Sequence, residues 1–95
     1  MTALRAEARD RDCQIRLPGI CNFNNETTVL AHLRMSGISG MGLKADDALG
    51  AWACSACHST IDGHTKTDMT REELRLAHLE GMARTIAVLR KEGLL

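Results

Sequence analysis

Four cysteines, arranged as Cys13 and Cys21 and then Cys54 and Cys57, constrain this chain more than any other feature. Cys54-Ser55-Ala56-Cys57 has the two-residue spacing that lets both thiolates reach one ion from a turn and the helix start after it. Seven residues separate Cys13 from Cys21, and Pro18-Gly19 between them is a turn signal that bends the loop back on itself. Zinc takes four tetrahedral ligands, and thiolates suit a structural site, so the four cysteines are expected to share a single zinc. A redox dithiol at Cys54 and Cys57 is the competing reading. It calls for a βαβ frame that this sequence does not show. Four unrelated buried thiols are the third.

Composition makes a metal staple useful. The chain has 95 residues, one domain's worth (1–95), and 44% are hydrophobic, but 12 of these are alanines and the aromatics are Phe23 and Trp52 alone. Alanine contributes little when buried, so the core is thin for its length. Structural zinc supplies roughly 10–16 kcal/mol of apparent binding energy that becomes folding energy. Net charge is zero, so nothing in the bulk charge speaks for nucleic acid. Sequence counting omits bound metal ions, however, and those add local positive charge. No apolar run approaches the length of a membrane span, and the start, MTALRAEARDRD, is charged throughout. The expected location is a reducing cytoplasm, where paired cysteines bind metal more often than they form disulfides.

The pattern predicts an α+β chain. Residues 1–12 read as a short helical lead-in with Leu4 and Ala8 on one side, and Asn22–Asn25 as a polar turn. Thr27–Leu33 is β-rich, with Thr28, Leu30 and His32 on one face. A glycine-rich loop occupies Ser36–Leu43, and Ala48–Ala53 forms a second strand leading into Cys54. A short helix runs through Asp62 and stops at Gly63. Thr70 with Glu73 is a capping box for a long C-terminal helix, which carries Leu74, Ala77, Met82, Ile86 and Leu89 at helical spacing and ends at Gly93. The 32 residues between the cysteine pairs fit a β-hairpin set between two zinc knuckles. Knuckle, hairpin, knuckle and helix together make a treble clef.

Two further residues fall into place beside the second knuckle. His58 follows Cys57 directly, so a helical step of about 100° turns it away from the zinc. Asp62 lies four residues on, and positions i and i+4 share a face, so His58 and Asp62 can approach one divalent ion together. His32, on the neighbouring strand, is the candidate general base, since imidazole titrates near neutrality. Such a set suits phosphodiester hydrolysis, in which a metal neutralises charge on the phosphate oxygens. The competing readings are a structural role for His32, zinc ligation by His58, and a plain turn role for Asp62. His64 lies past the helix end and is left open, and His78 on the last helix reads as packing or surface.

Cys-x₇-Cys, Leu30-Ala31-His32 and Ala53-Cys54-Ser55-Ala56-Cys57-His58 together resemble the HNH or ββα-metal nucleases of treble-clef type. Nearly the whole chain, including Glu80-Gly81-Met82-Ala83-Arg84-Thr85, is similar to the small YbcO-like family of phage and prophage nucleases. The resemblance implies a zinc-stabilised endonuclease that cleaves DNA with Mg²⁺ or Mn²⁺, in phage recombination or replication within a bacterial host. By it His32 matches the first motif histidine and His58 the last. The sequence departs from the motif at Ala31, where a metal ligand usually stands, and near Leu49, where the motif asparagine is missing. Asp46 or Asp47 is a candidate to steady the loop in its place. The rival function is a noncatalytic zinc module that binds DNA or a host protein. Arg16, Arg34 and Lys44 around the glycine-rich loop are the candidate nucleic-acid contacts. A third is assembly, a homodimer through Leu74, Leu79, Met82 and Ile86 of the C-terminal helix.

Overall fold

The computed structural model describes residues 4–33 and 47–95. The glycine-rich loop, and with it Arg34, Lys44 and Asp46, lies outside the described residues. The element order is α1 (Leu4–Glu7), β1 (Val29–His32), β2 (Gly50–Ala53), α2 (Ser55–Ile61) and α3 (Arg71–Lys91). This is a small α+β fold: β1 and β2 form an antiparallel hairpin, pairing Val29 with Ala53 and His32 with Gly50.

β1 starts two residues later than the alternation predicts because Asn25–Thr27 coils into a 3₁₀ turn capped by the Asn24 side chain. The Thr27 hydroxyl donates to Asn24 O at 2.8 Å, satisfying locally what strand pairing would otherwise use. β2 is buried along its whole length, its outer edge covered by α3 and the first cysteine loop. Cys54 caps α2 by accepting the Cys57 N–H, and Asp62 closes that helix. Gly63 follows at φ +82°, the left-handed conformation that favours glycine after a helix.

α3 carries the capping box in full: Thr70 Oγ1 accepts from Glu73 N, and Glu73 Oε1 accepts from Thr70 N. The helix lies mainly on β2. Two small residues make that approach close. Gly81 sits against the first cysteine loop, where a Cβ would stand 2.7 Å from Ile15 Cγ1 and 3.1 Å from Ile15 Cα. Thr85, one turn on, accepts from Trp52 N at 3.0 Å and donates to Gly81 O at 2.8 Å, so α3 satisfies a β2 donor that faces away from β1. Arg84 adds a hold on the same loop through Gln14 O.

Gly81→Ala should therefore lower stability, although alanine is the better helix former by about 1 kcal/mol. The clash is partly with backbone, which cannot swing aside, and overpacking of this kind costs about 1–3 kcal/mol. Urea unfolding followed by fluorescence would show the midpoint falling; a midpoint equal to or above wild type would mean that the loop yields freely.

The core has two parts. One gathers Ile15, Leu17, Ala31, Ala51 and Ala53 around the cysteines, and Leu74, Ala77 and Met82 of α3 pack onto it. The other sets Trp52 against Ala8 and Leu89. Arg11 lies 4.7 Å above the Trp52 ring and makes a two-pronged ion pair with Glu92 at 2.6 Å, tying the start of the chain to the end of α3. Leu74 and Met82, half of the stripe offered for dimerisation, are thus engaged within the chain. Among the described residues no helix is long and apolar enough to cross a membrane.

Candidate metal centre and catalytic cleft

Cys13, Cys21, Cys54 and Cys57 converge from the two ends of the hairpin, with their sulfurs all within 4.8 Å of one another. All four are free thiols rather than disulfides, and three of them are buried. Ligands held about 2.3 Å from a tetrahedral zinc stand about 3.8 Å apart. Cys21 Sγ and Cys54 Sγ are separated by 3.8 Å. The surrounding backbone donates into the cluster: Arg16 N to Cys13 Sγ, Leu17 N to Cys57 Sγ and Cys57 N to Cys54 Sγ, each at 3.4 Å. Amide hydrogen bonds of this kind favour thiolates. Arg16 adopts φ +53° to aim its amide at the cluster.

Charge in the cluster is divided unevenly. Cys13 is held down at about 4, chiefly by the hydrogen bond with the Cys57 thiol, which pushes Cys57 up in turn. Burial raises Cys21 to about 11. Cys13 ionises readily while Cys21 and Cys57 resist, a state that a shared divalent cation relieves. The donor set, its spacing and its amide environment fit a metal such as zinc.

The second constellation lies on the far side of α2. His58 Nε2 stands 3.1 Å from Asp62 Oδ2, the i, i+4 pairing that the helix dictates. His32 and Asp62 line one cavity of about 400 Å³, together with Thr60, Arg71, Arg75 and His78. His32 is held by a neighbour that the sequence marked only in outline. Its Nε2 lies 2.6 Å from Asp47 Oδ1, and Asp47 also accepts from Arg5 Nε at 3.1 Å. A carboxylate only accepts, so Nε2 carries the proton and Nδ1 of the neutral ring keeps its lone pair. The His32 hydrogen bond, seconded by Arg5, holds the Asp47 carboxyl below its ordinary range. Asp47 thus reaches the histidine ring itself.

Other candidates fall elsewhere. His64 is exposed and does not line the cavity. The Arg16 guanidinium is folded back onto Cys13 O and Gln14 Oε1, closing the first knuckle.

His78, read from the sequence as packing or surface, is a packed residue. It is buried, with Nε2 2.9 Å from Ala31 O, so its ring bridges α3 to β1 directly beside His32. A polar residue spaced four from both Leu74 and Met82 on a buried stripe is the signal that could have found it. Burial lowers its pKa from the ordinary 6.5 and keeps the ring neutral. The folded state therefore resists a proton that the unfolded chain accepts. Its contribution is complete above about pH 6.5 and is lost as pH falls through the depressed folded value. Melting temperatures between pH 7.5 and 5.5 should fall more steeply for wild type than for His78→Gln; parallel curves would contradict this.

Comparison with known proteins places the chain. It is 47% identical over 95 residues to "Putative nuclease YbcO" of Escherichia coli strain K12, covering 100% of this chain and 98% of that protein. The same figures hold for "Putative nuclease ybcO" of Enterobacteria phage 82. A solved structure, "Structure of a putative bacteriophage protein from Escherichia coli str. K-12 substr. MG1655", superposes with a TM-score of 0.81 at 44% identity, covering 96% of this chain and 100% of that one. Residues 2–94 match the family described as "Putative nuclease YbcO", and the chain belongs to that family.

Proposed function

We propose that this chain is a zinc-stabilised, divalent-metal-dependent endodeoxyribonuclease of the HNH type, built on a treble-clef framework. One observation carries the reading: a histidine oriented by a carboxylate opens on the same cavity as Asp62, itself paired with a second histidine. The nuclease names of its relatives agree with it. Their phage and bacterial sources favour work on DNA in phage recombination or replication, in the cytoplasm of a bacterial host.

The four cysteines would hold a structural zinc. His58 and Asp62 would hold the catalytic ion. Two protein ligands suit Mg²⁺ or Mn²⁺, which keep several waters and take further oxygens from substrate phosphate. When bound, such an ion supplies charge neutralisation on the phosphodiester oxygens. His32 would accept the proton of the attacking water at Nδ1, while Asp47 fixes the tautomer and stabilises the positive charge that develops on the ring. The cleavage test is conversion of supercoiled plasmid to nicked and linear forms, with and without Mg²⁺ or Mn²⁺. Absence of cutting under every divalent metal would remove the enzyme reading.

The alternative is a noncatalytic zinc module that binds DNA or a host protein, and one observation favours it. Ala31 supplies no ligand, and among the described residues the cysteines are the one set of three or more metal-ligating groups drawn together. DNA affinity without cutting is its signature.

A further inference from the structure

His32 lies between two clefts. The first is the cavity shared with Asp62, which Arg71 and Arg75 line from α3. The second is lined by Arg5 and Arg9 from the chain's first turns and by Glu26, again with His32 in its wall. Each cleft therefore brings two arginines to the histidine, in a chain whose net charge is zero.

The arginines differ in what else they do. Arg11 is engaged with Glu92 and Glu7, Arg84 with Gln14 O and Arg16 with Cys13 O, so those three hold the fold together. Arg5 is tied to Asp47. Arg9, Arg71 and Arg75 are exposed, and among the described residues none of their guanidiniums has a hydrogen-bond or ion-pair partner. Arg71 opens α3, where the helix dipole disfavours a cation, and Arg75 lies one turn on. The acidic residues of that first turn do not pair with them; Glu73 is turned to the Thr70 amide. Two unpaired cations, one of them at an unfavourable helix end, line the cavity that holds the histidine and are placed for an anion from outside.

We propose that Arg71 and Arg75 on one side of His32, and Arg9 on the other, form a phosphate track that lays a DNA strand across the histidine. The proposal rests on the nuclease reading for the meaning of His32, and it moves the nucleic-acid interface from the glycine-rich loop to the two flanks of β1. The guanidiniums bind backbone phosphates, so the track is indifferent to base sequence.

The test is binding of a fluorescent 20-base-pair duplex by anisotropy, without divalent cation, over about 50–250 mM NaCl. Each phosphate contact on a duplex contributes about 0.9 to the slope of log K against log salt. Arg71→Gln/Arg75→Gln should reduce the slope by about 1.8 and Arg9→Gln by about 0.9. Arg90→Gln, which removes one charge at the far end of α3 as Arg9→Gln does at the other end of the track, should leave the slope alone, and all variants should keep wild-type Trp52 fluorescence. Unchanged slopes in the Arg9 and Arg71/Arg75 variants, an equal effect of Arg90→Gln, or no duplex binding by wild type would overturn the track. Plasmid cleavage, scored separately, keeps the two ideas apart. Reduced slopes with no cutting by wild type would leave the track and refute the nuclease. Cutting with unchanged slopes would do the reverse.

Discussion

Cys57→Ala protein is expected to lack a cooperative fold, and wild-type protein to carry one tightly held zinc per chain. The Cys57 sulfur is fully buried, faces Cys13, and accepts the Leu17 amide, while its own amide donates to Cys54 at the start of α2. Removing it breaks the metal site and loosens both knuckles together. The energetics leave no reserve: domains of this size are stable by about 5–15 kcal/mol, and a structural zinc is worth roughly 10–16. The apolar core cannot compensate, since five of the buried residues around the site are Ala31, Ala51, Ala53, Ile15 and Leu17. Trp52 is the chain's one tryptophan and is buried, so its fluorescence reads the outcome directly. The variant should emit as solvent-exposed indole, with no cooperative melt, and chelation of wild type under reducing conditions should produce the same spectrum. Metal-replete protein without zinc by elemental analysis would defeat the claim. So would a Cys57→Ala variant that melts as wild type does.

How much of this was legible in the sequence follows from how local each signal is. The capping box at Thr70, the stop at Gly63 and the His58–Asp62 pair depend on residues three or four apart, and each is found where spacing puts it. The cysteine cluster joins distant segments, yet it was readable because few arrangements satisfy four such ligands at once. Less was legible where packing across the fold decides. Packing was one of the two readings of His78, but nothing in α3 alone says that β1 crosses beside it with an open carbonyl at Ala31. Arg71 and Arg75 were not singled out in the sequence, because their relation to His32 exists only once α3 is docked. Asp47 is intermediate. The missing asparagine pointed to Asp46 or Asp47, but which atom it would touch depends on the turn that brings it back to β1.

Much of α3 serves the metal centre at one remove. Gly81 lets the helix approach the first cysteine loop, Arg84 holds that loop at Gln14, and Thr85 satisfies the strand leading into Cys54 and Cys57. The same helix sets His78, Arg71 and Arg75 along the cavity that His32 and Asp62 line. The cysteine cluster and that cavity thus share one element, and damage to the cysteines is expected to abolish any activity indirectly. Tests of chemistry must therefore use residues outside the core.

His32→Ala is such a test, and it should keep the zinc, the fold and the Trp52 signal while losing about 10²–10⁴-fold in the rate of plasmid cleavage, the usual worth of a positioned base. The side chain is partly exposed at the end of a short strand, and its known partner is Asp47, itself at the surface. Its removal leaves no buried group unsatisfied. Asp47→Asn should cost less. It removes the anion that fixes the Nε2 proton, but the bond is partly open to water, and a hydrogen bond of that kind is worth about 1.4 kcal/mol, or about tenfold in rate. The two losses should not add, because Asp47 acts through the ring that the first substitution deletes. His58→Ala should behave differently, with weakened response to divalent ion and partial recovery at raised Mn²⁺. A double variant His32→Ala/Asp47→Asn that is tenfold slower than His32→Ala alone would show that Asp47 has a separate role. A His32→Ala enzyme cutting at the wild-type rate would leave the nuclease standing and require another base.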